Sequence, residues 1–322
     1  MGLRGKKMKS GFDQLDPRKI RTISLKERKS TVGVHDFSRT YTKGSAFGDF
    51  YDALPNILAG RNFRSIVQSF VDAFREGRMT VLAMGAHPIK VGLSPIIVNL
   101  IEKGVFRAVA MNGACLIHDV EVALGGQTSE DVSEGVDTGT FGMARETPEF
   151  INGAIREGVE QGLGLGESLG RKILHANLPH AALSITAAGS RVGIPITVHV
   201  AIGTDVIHIH PSTDGAAIGE GSHRDFKIFS SVISKLEGGA YINLGSAVIL
   251  PEVFLKALTL ARNLGHQIDH FTTVNMDFLQ HYRPTVNVVN RPTRRGGEGY
   301  TLIGHHEIMF PLLAAAVLEK ID

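Results

Sequence analysis

Apolar residues recur along this chain in two alternating patterns, which predict helices and strands in turn. Across residues 62–76 they stand three and four positions apart, the spacing of an amphipathic helix that ends at Gly77. Residues 79–84 form a short apolar run typical of a strand buried on both faces, and 94–103 predict another helix. Repeated strand–loop–helix units of this kind imply a parallel sheet with right-handed crossovers.

The same patterns continue to the end of the sequence. Further strands are predicted at 106–111, 194–200, 240–244 and 271–274. Further helices are predicted at 45–59, 148–162, 167–175, 180–192, 224–236, 251–264 and 308–318. Residues 125–141 and 282–300 are polar or glycine-rich and predict loops. The chain is therefore predicted to fold as a doubly wound, mostly parallel, Rossmann-like α/β sheet in one domain over 61–322.

Charge is distributed unevenly along the chain. Residues 1–45 hold 12 Lys or Arg against four Asp or Glu, so 1–60 is predicted to be a basic arm that ends in a short helix. The whole chain of 322 residues has a net charge of +2, which argues against a nucleic-acid partner. No apolar run is long enough to span a bilayer, and the N-terminal residues lack the apolar core of a signal peptide. A cytoplasmic protein with no membrane partner is expected.

Cysteine use agrees with that expectation. Cys115 is the only cysteine, so no intramolecular disulfide can form and a reducing compartment is favoured. The residue is interpreted as a small buried side chain and not as a nucleophile.

Titratable residues are concentrated in one stretch, 194–226, where four histidines and four carboxylates follow a predicted strand. Loops at the carboxyl ends of strands hold the ligands of open α/β sheets, so this loop is predicted to line the active site. The spacing of His208 and His210 would place both rings on one face of a strand. Together with His199 and Asp205 they could hold a metal ion, although hydrogen bonding to neighbours is the favoured alternative.

Other loops are expected to meet at the same edge of the sheet. They carry His87 and Lys90, Asn112 and His118-Asp119, Gly245-Ser246, and residues 275–277. Glycine there would let backbone N–H groups approach a pyrophosphate, but the sequence G-x-G-x-x-G is absent after the first strand. Arg294-Arg295 could bind a phosphate, and His305-His306-Glu307 either caps the last helix or joins the site.

From about Arg78 onward the chain resembles the deoxyhypusine synthase family, NAD-dependent enzymes that move an aminobutyl group from spermidine to a lysine. The resemblance rests on residues 85–92, on 109–114 followed by His118-Asp119, on Pro211-Ser-Thr-Asp-Gly-Ala-Ala-Ile-Gly-Glu220, and on Phe310-Pro-Leu-Leu313 after Gly304-His-His306. It implies NAD as cofactor, with Asp214 contacting the cofactor and Glu220 the amine. It also implies a homotetramer or homodimer.

The chain departs from that family at three places. No lysine occurs between Lys256 and Lys320, where the family carries the lysine that forms an imine with the aminobutyl group. Leu250-Pro251-Glu252 replaces a glycine-flanked histidine, and His118 replaces one member of an acidic pair. Without the lysine the covalent intermediate cannot form, so the chain is predicted not to be a true deoxyhypusine synthase or homospermidine synthase.

The sequence favours an NAD-dependent transferase or oxidoreductase acting on a small polar or amine metabolite. Catalytic roles are predicted for His118, Glu220, His208 and His210. Cofactor-binding roles are predicted for Gly85, His87, Gly92, Asn112, Gly113, Asp214, Gly215, Asn275 and His305. The alternatives are a metal-dependent hydrolase or lyase using the cluster from His199 to His210, and a non-catalytic nucleotide-binding protein.

Overall fold

A computed structural model describes Gly11 and residues 15–321. The described residues contain a six-stranded sheet built from β1 Thr80–Met84, β2 Ala108–Asn112, β3 Ile196–His199, β4 Ala240–Leu244, β5 Thr272–Asp277 and β6 Glu298–Ile303. All neighbouring strands pair in parallel in the order β3-β2-β1-β4-β5-β6. The predicted doubly wound α/β fold is confirmed.

Helices cover both faces of this sheet. They are α1 Phe47–Ala53, α2 Leu58–Arg75, α3 His87–Lys90, α4 Ser94–Glu102, α5 Gly113–Gly125, α6 Val132–Thr138, α7 Glu146–Glu160, α8 Leu165–His175, α9 Ile185–Val192, α10 Gly215–Ile233, α11 Ile249–Asn263, α12 Tyr282–Pro284 and α13 His306–Ile321. Short 3-10 turns lie at Pro17–Lys19, Val34–Asp36, Ala181–Leu183 and Val206–Ile209, and a π-helical turn at Thr285–Asn290. No helix in this part of the chain is long and apolar enough to cross a membrane.

The central strands are apolar on both sides because each side packs on its own hydrophobic core. Leu82 and Met84 of β1 point into the larger core, which α2, α4, α5 and α13 help to form. Val81 and Ala83 point into the smaller core, under α10 and α11. This two-sided burial explains why β1 reads as a continuous apolar run.

Three predicted boundaries were wrong near the carboxyl edge of the sheet. Strand β6 begins inside the predicted loop 282–300 and continues to Ile303. It was missed because it is an edge strand with mostly polar residues, and only Leu302 is buried. Strand β5 continues to Asp277, so Asn275 lies within the strand and not in a loop after it. Helix α10 begins at Gly215, nine residues before its predicted start, because the Asp214 side chain caps it.

The predicted arm lies partly outside the described residues, which omit 1–10 and 12–14. From Leu15 to Ala46 the backbone forms only two short 3-10 turns, and most side chains are exposed. Helix α2 starts at Leu58, before the predicted boundary at residue 61. The division into an arm and one domain stays a prediction.

Candidate active site

The two halves of the sheet meet between β1 and β4, where chain connections diverge to opposite sides. Such a switch point opens a crevice at the carboxyl ends of the strands, the usual ligand site of open α/β sheets. Gly85 after β1 lies against Gly245 after β4, and a Cβ atom on Gly85 would lie 2.6 Å from the Gly245 carbonyl oxygen. The two loops are therefore in direct backbone contact, which only glycine at position 85 permits.

Two histidines and a carboxylate meet on the β4–β6 side of this crevice. His87, at the start of α3, approaches His306, at the start of α13, with 2.9 Å between their Nδ1 atoms. The other ring nitrogen of His306, Nε2, lies 3.6 Å from Asp277 Oδ1 at the end of β5. His306 is fully buried and Asp277 is 4% exposed. The three side chains form a continuous line from the interior to the partly exposed ring of His87.

The surroundings of His306 act on its charge in opposite directions. Burial lowers the pKa of His306, and the nearby His87 ring also lowers it. The Asp277 carboxylate raises this pKa, with a smaller contribution from Glu307. Burial prevails, so the neutral ring is favoured in the folded protein.

Next to this cluster, two amides are buried within the sheet. Asn243 Nδ2 donates to Asn275 Oδ1 at 2.8 Å and to the Ser246 carbonyl at 2.9 Å. Asn243 Oδ1 and Asn275 Nδ2 have no hydrogen-bond partner among the described residues. Asn275, a predicted cofactor-binding residue, thus holds an unused donor near the carboxyl ends of β4 and β5.

On the other side of the crevice, the amino end of α5 is closed by protein groups. Asn112 caps the helix, since its Oδ1 accepts the Cys115 N–H at 3.2 Å. The Asp205 carboxylate lies so close to Gly113 that a Cβ atom there would overlap it. Asp205 Oδ2 has no partner among the described residues, and burial raises the pKa of this carboxyl. Gly113 therefore makes room for a carboxylate of the protein itself.

Cys115 lies behind this helix end and is fully buried. Its Sγ contacts Asn112 Oδ1 at 3.0 Å. Burial raises the pKa of the thiol, so the thiolate that a nucleophile needs is disfavoured, in agreement with the structural role predicted for this residue.

His118 faces a cavity of about 150 Å³ that is also lined by Lys90 and Asp205. Its Nδ1 lies 2.6 Å from the Thr128 hydroxyl, which donates to Glu121. Burial and, to a smaller extent, the charge of Lys90 together lower the pKa of His118 to about 4. His118 is therefore neutral at pH 7. Because the Thr128 proton goes to Glu121, His118 donates to Thr128 from Nδ1 and carries its lone pair on Nε2.

The histidines after β3 are arranged differently from the prediction. His208 lies in the 3-10 turn Val206–Ile209, so it does not share a strand face with His210. His208 Nδ1 accepts the N–H groups of Gly203 and Asp205, at 3.1 and 3.3 Å. His210 Nδ1 pairs with Ser212. Both rings therefore stabilise local turns through hydrogen bonds to nearby residues.

His199 points into the protein, where its Nε2 lies 3.1 Å from the Thr197 hydroxyl. Burial lowers the pKa of His199 to about 3. Among the residues that the structure describes, no three His, Cys, Asp or Glu side chains are placed to hold one metal ion. The metal alternative therefore lacks a ligand set in this part of the chain.

The motif 211–220 is part of a helix start and not a free loop. Asp214 Oδ1 accepts the N–H groups of Ala216 and Ala217, so its side chain is occupied as an N-cap. Gly215 is the first residue of α10, and Glu220 is exposed one turn later, in an ion pair with Arg224 at 2.6 Å. The structure does not bring Glu220 into contact with the other predicted catalytic residues.

Three further predicted positions lie at the surface. Gly92 has a left-handed φ of 79° with open space around its Cα, and His305 is exposed, with its ring stacked on Phe278 at 5.8 Å. Arg295 pairs with Asp269, just before β5, so the Arg294-Arg295 loop lies at the amino edge of the sheet. It is therefore on the side opposite the crevice.

An open groove of about 690 Å³ adjoins the His118 cavity along α5 and the start of α7. Its charged lining residues are all acidic: Glu121, Glu130 and Glu146. Hydroxyl groups of Thr128, Ser129 and Thr147 lie among them. Such a surface favours a cation with several N–H donors over an anion.

The close fit at Gly113 gives a testable prediction. Gly113→Ala should lower the free energy of unfolding by about 1–3 kcal/mol, because the added methyl group meets the Asp205 carboxylate in a packed site. The same change in an Asp205→Ala background should cost much less. Urea unfolding of the unaltered protein, the two single variants and the double variant measures the difference. Equal costs in both backgrounds would show that another group resists the methyl.

Residues 275–277 were expected at this edge and His305-His306-Glu307 as a cap or part of the site, but no catalytic or cofactor role was predicted for Asp277 or His306 themselves. Their strands explain this, because β6 was missed and β5 was ended too early. A signal did exist: His306 follows Gly304 just before an apolar helix, the position at which a βα loop meets the crevice.

Comparison with known proteins places the chain by fold alone. No family model and no curated protein matches it. Solved structures do: a conserved LOR/SDH protein of provisional assignment from Methanococcus maripaludis S2 has a TM-score of 0.53 at 16% identity, over 81% of this chain and 70% of that one. A provisionally assigned deoxyhypusine synthase from Entamoeba histolytica has a TM-score of 0.52 at 12% identity, over 88% of this chain and 96% of that one.

The cyanobacterial arginine dihydrolase ArgZ is also similar, with a TM-score of 0.51 at 16% identity. The match covers 83% of this chain but only 34% of ArgZ, so this chain corresponds to about a third of that protein. The predicted relationship to deoxyhypusine synthases is confirmed as a distant similarity of fold.

Proposed function

We propose that this chain is an NAD-dependent enzyme that acts on a small polar or amine metabolite at the carboxyl edge of its sheet, with a chemistry other than that of deoxyhypusine synthase. The observation that carries the proposal is the set of buried polar atoms without a partner at this edge. Among the described residues they belong to Asp205, His208, Asn243, Asn275 and His306.

Such atoms are costly unless a ligand or water pairs with them. Leaving a buried polar group unsatisfied costs about 1–3 kcal/mol, and native proteins tolerate few of them. Ten such atoms occur among the described residues, and five of them come from loops and strand ends that the switch point brings to one side of the sheet. Their concentration supports a polar ligand at this edge.

The acidic groove supports an amine as substrate. Glu121 and Glu130 line both the groove and the smaller cavity at His118, so a cation in the groove would lie next to His118. Carboxylates form charge-assisted hydrogen bonds with ammonium groups, which gives both affinity and orientation.

The residues at this edge fit the carboxamide-bearing ring of NAD better than its pyrophosphate. The unused donor of Asn275 and the unused acceptor of Asn243 could pair with the carboxamide of a ring that supplies hydride chemistry when bound. The amino end of α5, a helix start at the crevice that could otherwise hold an anion, is filled by the Asp205 carboxylate. A pyrophosphate at that helix would have to displace Asp205.

Calorimetric titration with NAD and NADP, followed by turnover assays with a panel of diamines, triamines and guanidinium compounds, tests the proposal. We expect a dinucleotide to bind and at least one amine to give reduced nicotinamide. Glu121→Gln combined with Glu130→Gln should weaken the amine about tenfold and leave dinucleotide affinity unchanged. Arg294→Ala, at the opposite edge, is the matched control.

The outcomes separate the alternatives. Failure of both dinucleotides to bind would contradict the proposal. Binding without turnover of any amine would favour a non-catalytic nucleotide-binding protein.

We also propose that a second copy covers this edge, as a homodimer or homotetramer. Large apolar side chains are exposed on the loops, strand ends and helix starts around it: Ile202, Ile209, Val248, Leu279, Tyr282, Ile303 and Ile308. Exposed apolar patches of this kind mark protein interfaces. Light scattering of the purified chain should give a multiple of 34.7 kDa, and a monomeric mass would contradict this.

A further inference from the structure

We infer that Asp277, His306 and His87 form a proton relay, and that its outer nitrogen, His87 Nε2, accepts a proton from the bound substrate. The transfer of a proton from the substrate to His87, the substrate half of this inference, rests on the proposed function. The relay half rests only on the geometry of the three side chains.

The contact between the two histidines restricts their protonation. With 2.9 Å between the Nδ1 atoms, one nitrogen must donate and the other must accept. Two N–H groups or two lone pairs facing each other at this distance would repel. A single proton is therefore shared along the line joining His87 and His306.

Asp277 decides which ring donates. Its Oδ1 lies 3.6 Å from His306 Nε2, which has no hydrogen-bond partner within the described residues. A carboxylate beside this buried nitrogen favours a proton there, and a neutral His306 then carries its lone pair on Nδ1. His87 must donate from Nδ1, which leaves the lone pair of its Nε2 free.

Packing holds the relay in this geometry. A Cβ atom on Gly245 would lie 2.5 Å from His306 Cε1, so the ring fills the space left by that glycine. The Phe278 ring lies edge-on to both histidines, with centroids 5.8 Å from each. His87 is only partly buried, so its free nitrogen can meet a ligand in the crevice.

The proton balance of the step is simple. An N–H or O–H bond of the substrate breaks, its electron pair stays on the substrate atom, and the proton binds His87 Nε2. The proton on His87 Nδ1 can then pass to His306 Nδ1, which places the cation beside Asp277. A charge that forms in the crevice is thus stabilised in the interior by a fixed carboxylate.

Other charged groups near the relay are few. Glu307 on α13 also favours a protonated His306, whereas His305 is exposed and stacks on the outer face of Phe278. Asp277 is the carboxylate closest to His306 in the described residues. Removing its charge should therefore change the titration of the relay.

Nitrogen-15 NMR of the histidine side chains, on the full chain without ligand, tests the relay directly. We expect His306 protonated at Nε2 and His87 at Nδ1 near neutral pH. Asp277→Asn should remove this preference, because an amide can face His306 with either its oxygen or its nitrogen. A His306 protonated at Nδ1 in the unaltered protein would overturn the relay, whether or not the protein turns over an amine.

Turnover tests the substrate half. His87→Gln should lower kcat at least about 100-fold, the usual range for loss of a general base. Asp277→Asn should move the acid limb of the pH–rate profile to lower pH, since the cation loses its counter-charge. His175→Gln, an exposed histidine at the end of α8, is the control, and circular dichroism checks that each variant folds.

The results distinguish this inference from the proposed function. Unchanged kcat in His87→Gln, with the expected tautomers, would overturn the catalytic role of His87 while the proposed function stands. No turnover by the unaltered protein would contradict the proposed function, and with it the transfer of a proton from substrate.

Discussion

Replacing Asp119 with alanine should lower the free energy of unfolding by about 3–5 kcal/mol, because the carboxylate satisfies a set of buried donors. It accepts from the hydroxyl groups of Ser184 and Thr186, at 2.7 and 2.6 Å, and from the N–H groups of Ile185 and Thr186. All of these groups lie at the buried amino end of α9, which packs next to α5. Without the carboxylate, they would be left without partners in the interior.

Urea unfolding measures this effect, and Asp131→Ala provides a matched control. Asp131 caps α6 through two N–H groups but is exposed, so its loss should cost only about 1 kcal/mol. Equal costs at the two positions would contradict the role given to burial. Asp119 would then do no more for stability than an exposed helix cap does.

Although the lowered pKa values of His118 and His199 act in the opposite direction, Asp225 by itself should lower the free energy of unfolding as the pH rises from about 4 to about 7. Its Oδ2 accepts the N–H groups of Val198 and Gly166, at 2.8 and 3.2 Å, and the side chain is 1% exposed. Burial raises the pKa of Asp225 from the usual 3.8 to about 7, although these hydrogen bonds oppose the shift.

The sign of the effect follows from proton binding. Between these two pH values the folded protein holds a proton on Asp225 that the unfolded chain has released, so raising the pH favours unfolding. At about 1.4 kcal/mol for each pKa unit, the loss across this range reaches about 4 kcal/mol.

Urea unfolding at several pH values should show that the free energy of unfolding of the unaltered protein, relative to that of Asp225→Asn, falls as the pH rises. An asparagine has no charge to bury, while its oxygen can still accept from Val198. Parallel pH profiles for the two proteins would contradict the prediction. Glu167→Gln serves as a milder variant, because the charge of Glu167 contributes to the raised pKa.

The fold was predictable where burial is one-sided or complete. Strand β4 matches its predicted range, since every one of its residues is buried and its sequence is apolar apart from Asn243. Strand β6 was missed because an edge strand pairs on one side only, so its sequence need not be apolar. The early start of α10 was missed because glycines and alanines after Asp214 hide the helical pattern.

The site was less predictable than the fold, because its contacts join residues far apart in sequence. His87 was predicted from its loop, but its contact with His306 crosses from the first strand to the last. The prediction that the histidines after β3 share a strand face was wrong for the opposite reason, because their contacts are local. His208 and His210 bond to their own turn, and a spacing of two residues does not reveal whether the backbone is extended or turned.

The contact between Gly245 and His306 sets a rule for recognising relatives of this chain. Gly245 has a φ of 66°, and any side chain there would collide with the histidine ring. The two positions should therefore change together: a homologue that keeps His306 must keep glycine at 245, and one with a larger residue at 245 must have lost the ring. Joint presence of this pair, 61 residues apart, would mark sequences that retain the relay and separate them from proteins that share only the fold.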